Sequence, residues 1–149
     1  IGRKLAEDKR VLCAAPSYLQ AYGTPKTPDD LADHRIIAFV NSKARTLVAE
    51  ENRMCVFPPA ESPQRLVCDD GASMRLATKA GVGISMSSIW SIHNELKDGS
   101  LVRVLPEYQV DDGSAIWLVY PKSNVLTAKV RVFIDFLIEK IGSPPVWER

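Results

Sequence analysis

The sequence predicts an α/β fold, and three observations carry the prediction. Apolar runs of strand length alternate with amphipathic stretches of helical period, glycine and proline punctuate the boundaries, and no internal repeat, low-complexity tract or long flexible linker interrupts the alternation. Of 149 residues 46% are hydrophobic and 25% charged, enough for one sizeable core arranged as one domain or two small lobes. Lys and Arg number 19 against 18 Asp and Glu, a formal net charge of +1, which gives no global field to draw the chain onto nucleic acid or an anionic membrane. No apolar run approaches the roughly 20 residues needed to cross a bilayer, and Ile1-Gly2-Arg3-Lys4-Leu5-Ala6-Glu7-Asp8 has neither a hydrophobic signal core nor a cleavage site, so no export is expected. Cys13, Cys55 and Cys68 are an odd number at wide spacing and read as reduced structural thiols, which predicts a cytoplasmic setting.

Residues 10–15 form an apolar run stopped by Pro16, a buried strand ending where proline opens a helical turn that closes at Gly23. A short helix follows to about His34. Thr27 is placed to cap it, Pro28 takes its first position, and Asp29 and Asp30 favour its positive end. Residues 35–40 are strand-like, and residues 46–49 and 53–57 suit a hairpin broken by Pro58-Pro59, making the middle of the chain β-rich and antiparallel. Residues 64–68 read as a strand, 72–80 as a helix entered from Asp69-Asp70-Gly71, and 83–87 as a buried strand after a tight glycine turn, together a βαβ unit. Ile89, Ile92, His93 and Leu96 mark an amphipathic helix ended by Gly99, with residues 101–105 extended after it and one more strand at 115–120. The last helix, 127–141, carries a core-facing stripe of Val130, Phe133, Ile134, Leu137, Ile138 and Ile141 until Gly142, Pro144 and Pro145 stop it.

The turn Asp69-Asp70-Gly71-Ala72-Ser73 offers backbone N–H groups and a positive helix end at a strand's C-terminal edge, a place for an anionic group. Asp70 can equally cap its own helix, and the two roles are compatible. Phe39, Asn41 and Ser42, just past a strand, join an aromatic wall to short polar groups as a ligand pocket does, although Asn and Ser are also ordinary turn residues. Ser17 reads as a helix-start hydrogen bonder, and His34 as a helix-end residue favoured by the dipole. Gly81 and Gly83 precede a strand and do not lead one into a helix, so they are turn glycines and no phosphate cradle. His34 and His93 share no metal-ligand spacing with the cysteines. Cys13 and Cys68 lie in apolar strands that raise a thiol's pKa. No Gly-x-Ser-x-Gly elbow is present, and the acid pairs Glu50-Glu51 and Asp111-Asp112 look like solvated loop positions. No cofactor, metal or catalytic group is expected.

Taken in order, these segments resemble the C-terminal effector-binding region of LysR-type transcription regulators. The resemblance runs through Arg3-Lys4-Leu5 with 10–19, Gly23 to His34, Asp69-Asp70-Gly71 with Ala80-Gly81-Val82-Gly83-Ile84-Ser85, the stretch 96–108, and the closing helix about 129–137. It implies a periplasmic-binding-protein-like (type 2) fold, with roughly residues 5–110 as the second lobe and roughly 111–141 as the return strand and helix of the first. It implies that Phe39, Asn41, Ser42, Asp70, Gly71, Ala72 and Ser87 face a small-molecule effector, an organic acid or similar metabolite. Ser87-Ser88 departs from the leucine and proline that many relatives carry there. DNA would be reached only through an N-terminal winged helix-turn-helix domain that this sequence lacks. The edge of strand 115–120 and an open apolar face predict a homodimer or homotetramer. A stand-alone solute-binding protein and an α/β enzyme are the alternatives, separated from a sensor by an export signal and by turnover of the ligand.

Overall fold

The computed structural model of the chain describes residues 2–62, 65–110, 112–120 and 127–149. In chain order the first elements are β1 (Gly2–Glu7), β2 (Arg10–Ala14), α1 (Pro16–Tyr22), a 3-10 turn (Pro28–Asp33), β3 (Ile36–Phe39), β4 (Arg45–Val48) and β5 (Met54–Phe57). They are followed by β6 (Arg65–Cys68), α2 (Gly71–Lys79), β7 (Ile84–Ser88), α3 (Ile89–Asp98), β8 (Val102–Val104), β9 (Gln109–Val110), β10 (Ala115–Val119) and α4 (Ala128–Ile141). The chain divides into two compact units, Lys9–Asp112 and a smaller one of Ile1–Asp8 with Gly113–Arg149.

In the larger unit a five-stranded sheet has the order β6-β3-β7-β2-β8. β3 runs parallel to β6 and β7, whereas β2 is antiparallel to β7 and β8. The sequence reason is plain in β2, whose residues after Arg10 are all apolar. Leu12 and Ala14 enter one core with Tyr18, Leu31, Ile36 and Ile84, while Val11, Cys13 and Ala15 enter a second with Ile92 and Leu101. A strand buried on both faces has no polar side to alternate with. α2 is the crossover from β6 to β7, so the βαβ unit forms around β3. A second sheet, β5-β4-β9, is antiparallel; its hairpin packs Leu47, Cys55 and Phe57 into the first core.

Helix ends follow their residues. α3 stops at Gly99, which takes a left-handed φ of 78°. The segment after Thr27 is a 3-10 turn and not an α-helix; the Asp30 carboxylate accepts the Thr27 and Lys26 N–H groups at 2.9 and 2.8 Å. No side chain caps α1, and Ser17 is exposed without the helix-start bond expected of it. Gly83 is required by close approach, since a Cβ there would stand 2.4 Å from the Arg35 carbonyl oxygen.

His34 does sit at a helix end, but not as a cation on the dipole. It is buried, Nδ1 lies 2.9 Å from the Tyr18 hydroxyl, and burial pushes its pKa down, outweighing Asp30 and Asp33. Tyr18 Oη also accepts the Arg35 N–H at 2.9 Å, so one hydroxyl joins the start of β3 to the His34 imidazole. The middle of the chain is antiparallel only in the hairpin, because β3 pairs in parallel on both sides. Gln64, expected to open β6, lies outside the described residues.

The smaller unit pairs β1 with β10 antiparallel, with an irregularity between Lys4 and Ala6, and contains α4. Of the predicted α4 stripe, Ile134 is buried and Val130, Leu137, Ile138 and Ile141 are half-buried, but Phe133 is 59% exposed and does not face a core. Trp117, Val119, Val132 and Phe136 are exposed beside it in the same unit. Among the described residues no helix is long and apolar enough to cross a membrane.

Candidate ligand-binding site

The C-terminal ends of the parallel strands β3 and β7 open at one edge of the larger sheet, where α2 begins, the position at which open α/β sheets hold ligands. A cavity of about 320 Å³ lies there, within the size range of small-molecule pockets. Its apolar wall includes Phe39 from β3, Met74 from α2, Met86 from β7, Trp90 from α3 and Phe57 from β5. Its polar groups are the hydroxyls of Ser42, Ser87, Ser88 and Ser91, with three cationic side chains, Arg10, Lys43 and Arg45; among the described residues no carboxylate lines it.

The local conformations are fixed by the sequence. After Phe39 the chain turns back, with the Ser42 N–H donating to the Phe39 carbonyl at 3.2 Å. Asn41 accepts the left-handed φ of 54° this turn demands, which an Asn tolerates at low cost. Ser87 is buried at the edge of a hydroxyl chain: Ser87 Oγ is 3.5 Å from Ser85 Oγ, which lies 2.8 Å from Thr78 Oγ1 and 3.5 Å from Cys13 Sγ. Burial raises the Cys13 pKa despite those hydroxyls, and the thiol stays neutral.

Of the seven residues expected to face a ligand, Phe39, Ser42, Gly71 and Ser87 line the cavity. Asn41 lines an adjoining open groove that shares Ser42, Lys43 and Arg45 with it and reaches Asp112. Asp70 and Ala72 line neither. Asp70 Oδ1 accepts the Ser73 N–H at 2.8 Å, and its bonds to Ser73 and Ala72 hold its carboxyl below the usual range. It is the cap of α2, and it engages the amides that the sequence reading offered to an anion.

The cationic residues were not foreseen. Arg10 opens β2, Arg45 opens β4 and Lys43 precedes it, and nothing in their local spacing marks them as neighbours. Asp112 is likewise no simple solvated loop acid: it is ion-paired to Arg45, and Arg10 Nη1 lies 3.9 Å from its Oδ2. Asp111 lies outside the described residues. Glu50 and Glu51 are exposed. Among the described residues no group of three His, Cys, Asp or Glu side chains is placed to hold a metal ion, and the three cysteines are free.

Residues 1–142 match the family described as the LysR substrate binding domain. The chain is 30% identical over 148 residues to the HTH-type transcriptional activator TtdR of Escherichia coli, an alignment covering 97% of this chain and 47% of TtdR. It is 27% identical over 146 residues to the HTH-type transcriptional regulator CrgA of Neisseria meningitidis, covering 95% and 47%. Among solved structures it is similar to the regulatory domain of AphB from Vibrio vulnificus, with a TM-score of 0.77 and 30% identity over 93% of this chain and 68% of that one. The CrgA regulatory domain superposes with a TM-score of 0.79 at 25% identity, over 95% and 69%. The chain thus spans about half the length of the curated relatives it matches, which are transcription regulators and not enzymes. Its fold is the mixed α/β, periplasmic-binding-protein-like type 2 fold of these regulatory domains. The chain belongs to the LysR substrate-binding domain family.

Proposed function

We propose that this chain is the effector-sensing part of a LysR-type transcription regulator, and that its effector is a small organic acid held in the cavity of the Lys9–Asp112 unit. The observation that carries the reading is the lining itself, apolar on its walls, cationic at Arg10, Lys43 and Arg45, and without a carboxylate among the described residues. In this reading the arginines receive the carboxylate, Ser42, Ser87 and Ser88 orient it, and Phe39, Met74, Met86 and Trp90 enclose an apolar body. Asp70 and Ala72 serve the site by fixing the start of α2 behind Gly71, and Asn41 by shaping the loop that carries Ser42.

The Lys9–Asp112 unit is proposed as the second lobe, with β10 and α4 as the return segment of the first. An effector that prefers one arrangement of the lobes shifts their equilibrium by its differential affinity. In the whole regulator that shift reaches DNA through an N-terminal winged helix domain, in the cytoplasm and within a homodimer or homotetramer. The relatives' names, as HTH-type transcriptional regulators, support the DNA-binding part of this reading, and the exposed apolar side chains of the smaller unit support self-association.

The test is a thermal-shift titration with organic acids, amino acids and aromatic carboxylates. A specific acid at 100 times its Kd stabilises the folded state by about 2.7 kcal/mol, roughly 5–10 °C in Tm for a chain of this size. Arg45→Ala and Ser42→Ala are expected to weaken that response without lowering the unliganded Tm by more than a few degrees. A panel in which no acid shifts the protein saturably, or variants that respond as the wild type does, overturns the assignment; consumption of the ligand points to an enzyme instead.

A further inference from the structure

The cavity holds more cationic charge than its apolar lining requires, and the protein already supplies an anion to it. Arg10 and Arg45 both line the cavity, and both point a guanidinium at one carboxylate, that of Asp112. Asp112 is not on the cavity wall; it lines the adjoining groove, which shares Ser42, Lys43 and Arg45 with the cavity. The three side chains are partly exposed, at 23% for Arg10, 36% for Arg45 and 27% for Asp112, so the cluster can exchange partners without opening the core.

Its place in the chain matters as much as its chemistry. The chain passes between its two units twice, after Asp8 and after Asp112. Arg10 stands two residues past the first passage and Asp112 is the last residue before the second, so the pair ties one connection to the other inside the larger unit.

Resting on the reading of the cavity as an organic-acid site, we infer that Asp112 is an internal competitor for the effector carboxylate. It holds Arg10 and Arg45 when no ligand is bound, and an incoming carboxylate takes over the guanidiniums and releases Asp112. The exchange is one carboxylate for another at fixed arginines, so no proton or covalent bond moves. It sets a threshold, because a ligand must displace the built-in anion before it is held. It also makes the residue at the unit boundary the first part of the protein to change partners. A neutral ligand of the same shape cannot make the exchange.

The experiment measures calorimetric affinity for benzoate, with benzamide as the neutral isostere, in the wild type, Asp112→Asn and Asp112→Glu. Removing the competitor is expected to tighten benzoate by about fivefold, or about 1 kcal/mol at 1.4 kcal/mol per tenfold, the upper end for an ion pair of this exposure. Benzamide affinity is expected to stay within twofold, and Asp112→Glu to behave as the wild type. A second readout needs no variant: the carboxylate carbon resonance of Asp112 in the wild type is expected to move toward its solvated position as benzoate saturates. Benzoate binding that is unchanged or weakened in Asp112→Asn, or an Asp112 resonance that stays fixed at saturation, overturns the competition while leaving the cavity reading intact. Failure of benzoate, phenylacetate and hexanoate to bind either the wild type or Asp112→Asn overturns the cavity reading itself, and the competition with it.

Discussion

Gly83 offers the sharpest test of how the cavity is framed, through the substitution Gly83→Ala. A Cβ at this position would meet the Arg35 carbonyl oxygen at 2.4 Å and its carbon at 3.0 Å, against a limit of 3.0 Å that real Cβ contacts essentially never cross. Both atoms are backbone, so no flexible side chain can swing aside. The same carbonyl accepts the Ile84 N–H at 2.8 Å and lies where β3 and β7 begin to pair, Ile36 opposite Ile84. Relief therefore requires the two strands to part, at an overpacking cost near the upper end of the usual range, about 3 kcal/mol. Replacing Gly by Ala would otherwise stabilise by about 0.4–1 kcal/mol through the unfolded chain, which leaves a net loss of about 2 kcal/mol. For a chain of this size that is a fall in Tm of roughly 4–8 °C. Gly71→Ala is the control, since nothing lies within 4 Å of its added Cβ, and it is expected to leave Tm unchanged or raise it. Melting curves by far-ultraviolet circular dichroism decide the matter. A Gly83→Ala protein that melts within a degree of the wild type refutes the close-approach argument, and with it the claim that this contact sets the spacing of the strands that carry Phe39 and Ser87.

Tyr18→Phe removes the acceptor of the Arg35 N–H and the partner of His34 at a site 1% exposed, and is expected to cost about 1–3 kcal/mol in urea unfolding. His34 has a folded pKa below its unfolded one, so as pH falls below about 6.5 the unfolded chain takes up the proton first. The stability it contributes is complete above that pH and is lost as pH falls toward and through the folded value; His34→Gln should flatten urea midpoints between pH 7 and 5.5. Asp70→Ala should lower Tm and Asp70→Ser restore most of it, because the cap needs a short side-chain acceptor for the Ser73 N–H. A thiol reagent added to the native protein should reach Cys68, half-buried, before Cys13 and Cys55, which are buried; burial raises all three pKa values, and full labelling should require denaturant.

The elements legible in the sequence were those whose residues carry their own signal. β2 is an apolar run after Arg10, β7 follows a tight glycine turn, α3 has its period and its terminal glycine, and the hairpin turns at exposed acids and ends at prolines. β1 was invisible as a strand because Arg3, Lys4 and Glu7 give it no apolar face, and its pairing with β10 joins residues more than a hundred positions apart. β9, two residues long, exists only because β4 offers it an edge. Phe133 fits the helical period of α4 yet lies exposed, since a period fixes a face and not what covers it. Phe39, Ser42, Gly71 and Ser87 were legible as cavity-lining because they stand at or beside strand ends and a helix start, which open α/β sheets bring to one edge. The arginines were missed because Arg10 and Arg45 lie in different sheets and meet only at the cavity and at the Asp112 carboxylate. His34 was correctly placed at a helix end, but its burial, which lowers its pKa, and its contact with Tyr18 are tertiary and no local pattern announces them.

The Arg10–Asp112 pair also bears on how this protein can be taken apart. It brings the second and last residues of the larger unit side by side, and every strand of the five-stranded and three-stranded sheets falls within the stretch they bracket. Topologically the unit is a closed loop set into the sequence at a single point, with adjacent ends of the kind that tolerate domain insertion and circular permutation. Among the described residues, every strand pairing of these two sheets lies within residues 9–112. That segment is therefore the natural cassette for expressing the cavity alone, or for exchanging it between relatives to move one protein's ligand preference onto another's scaffold.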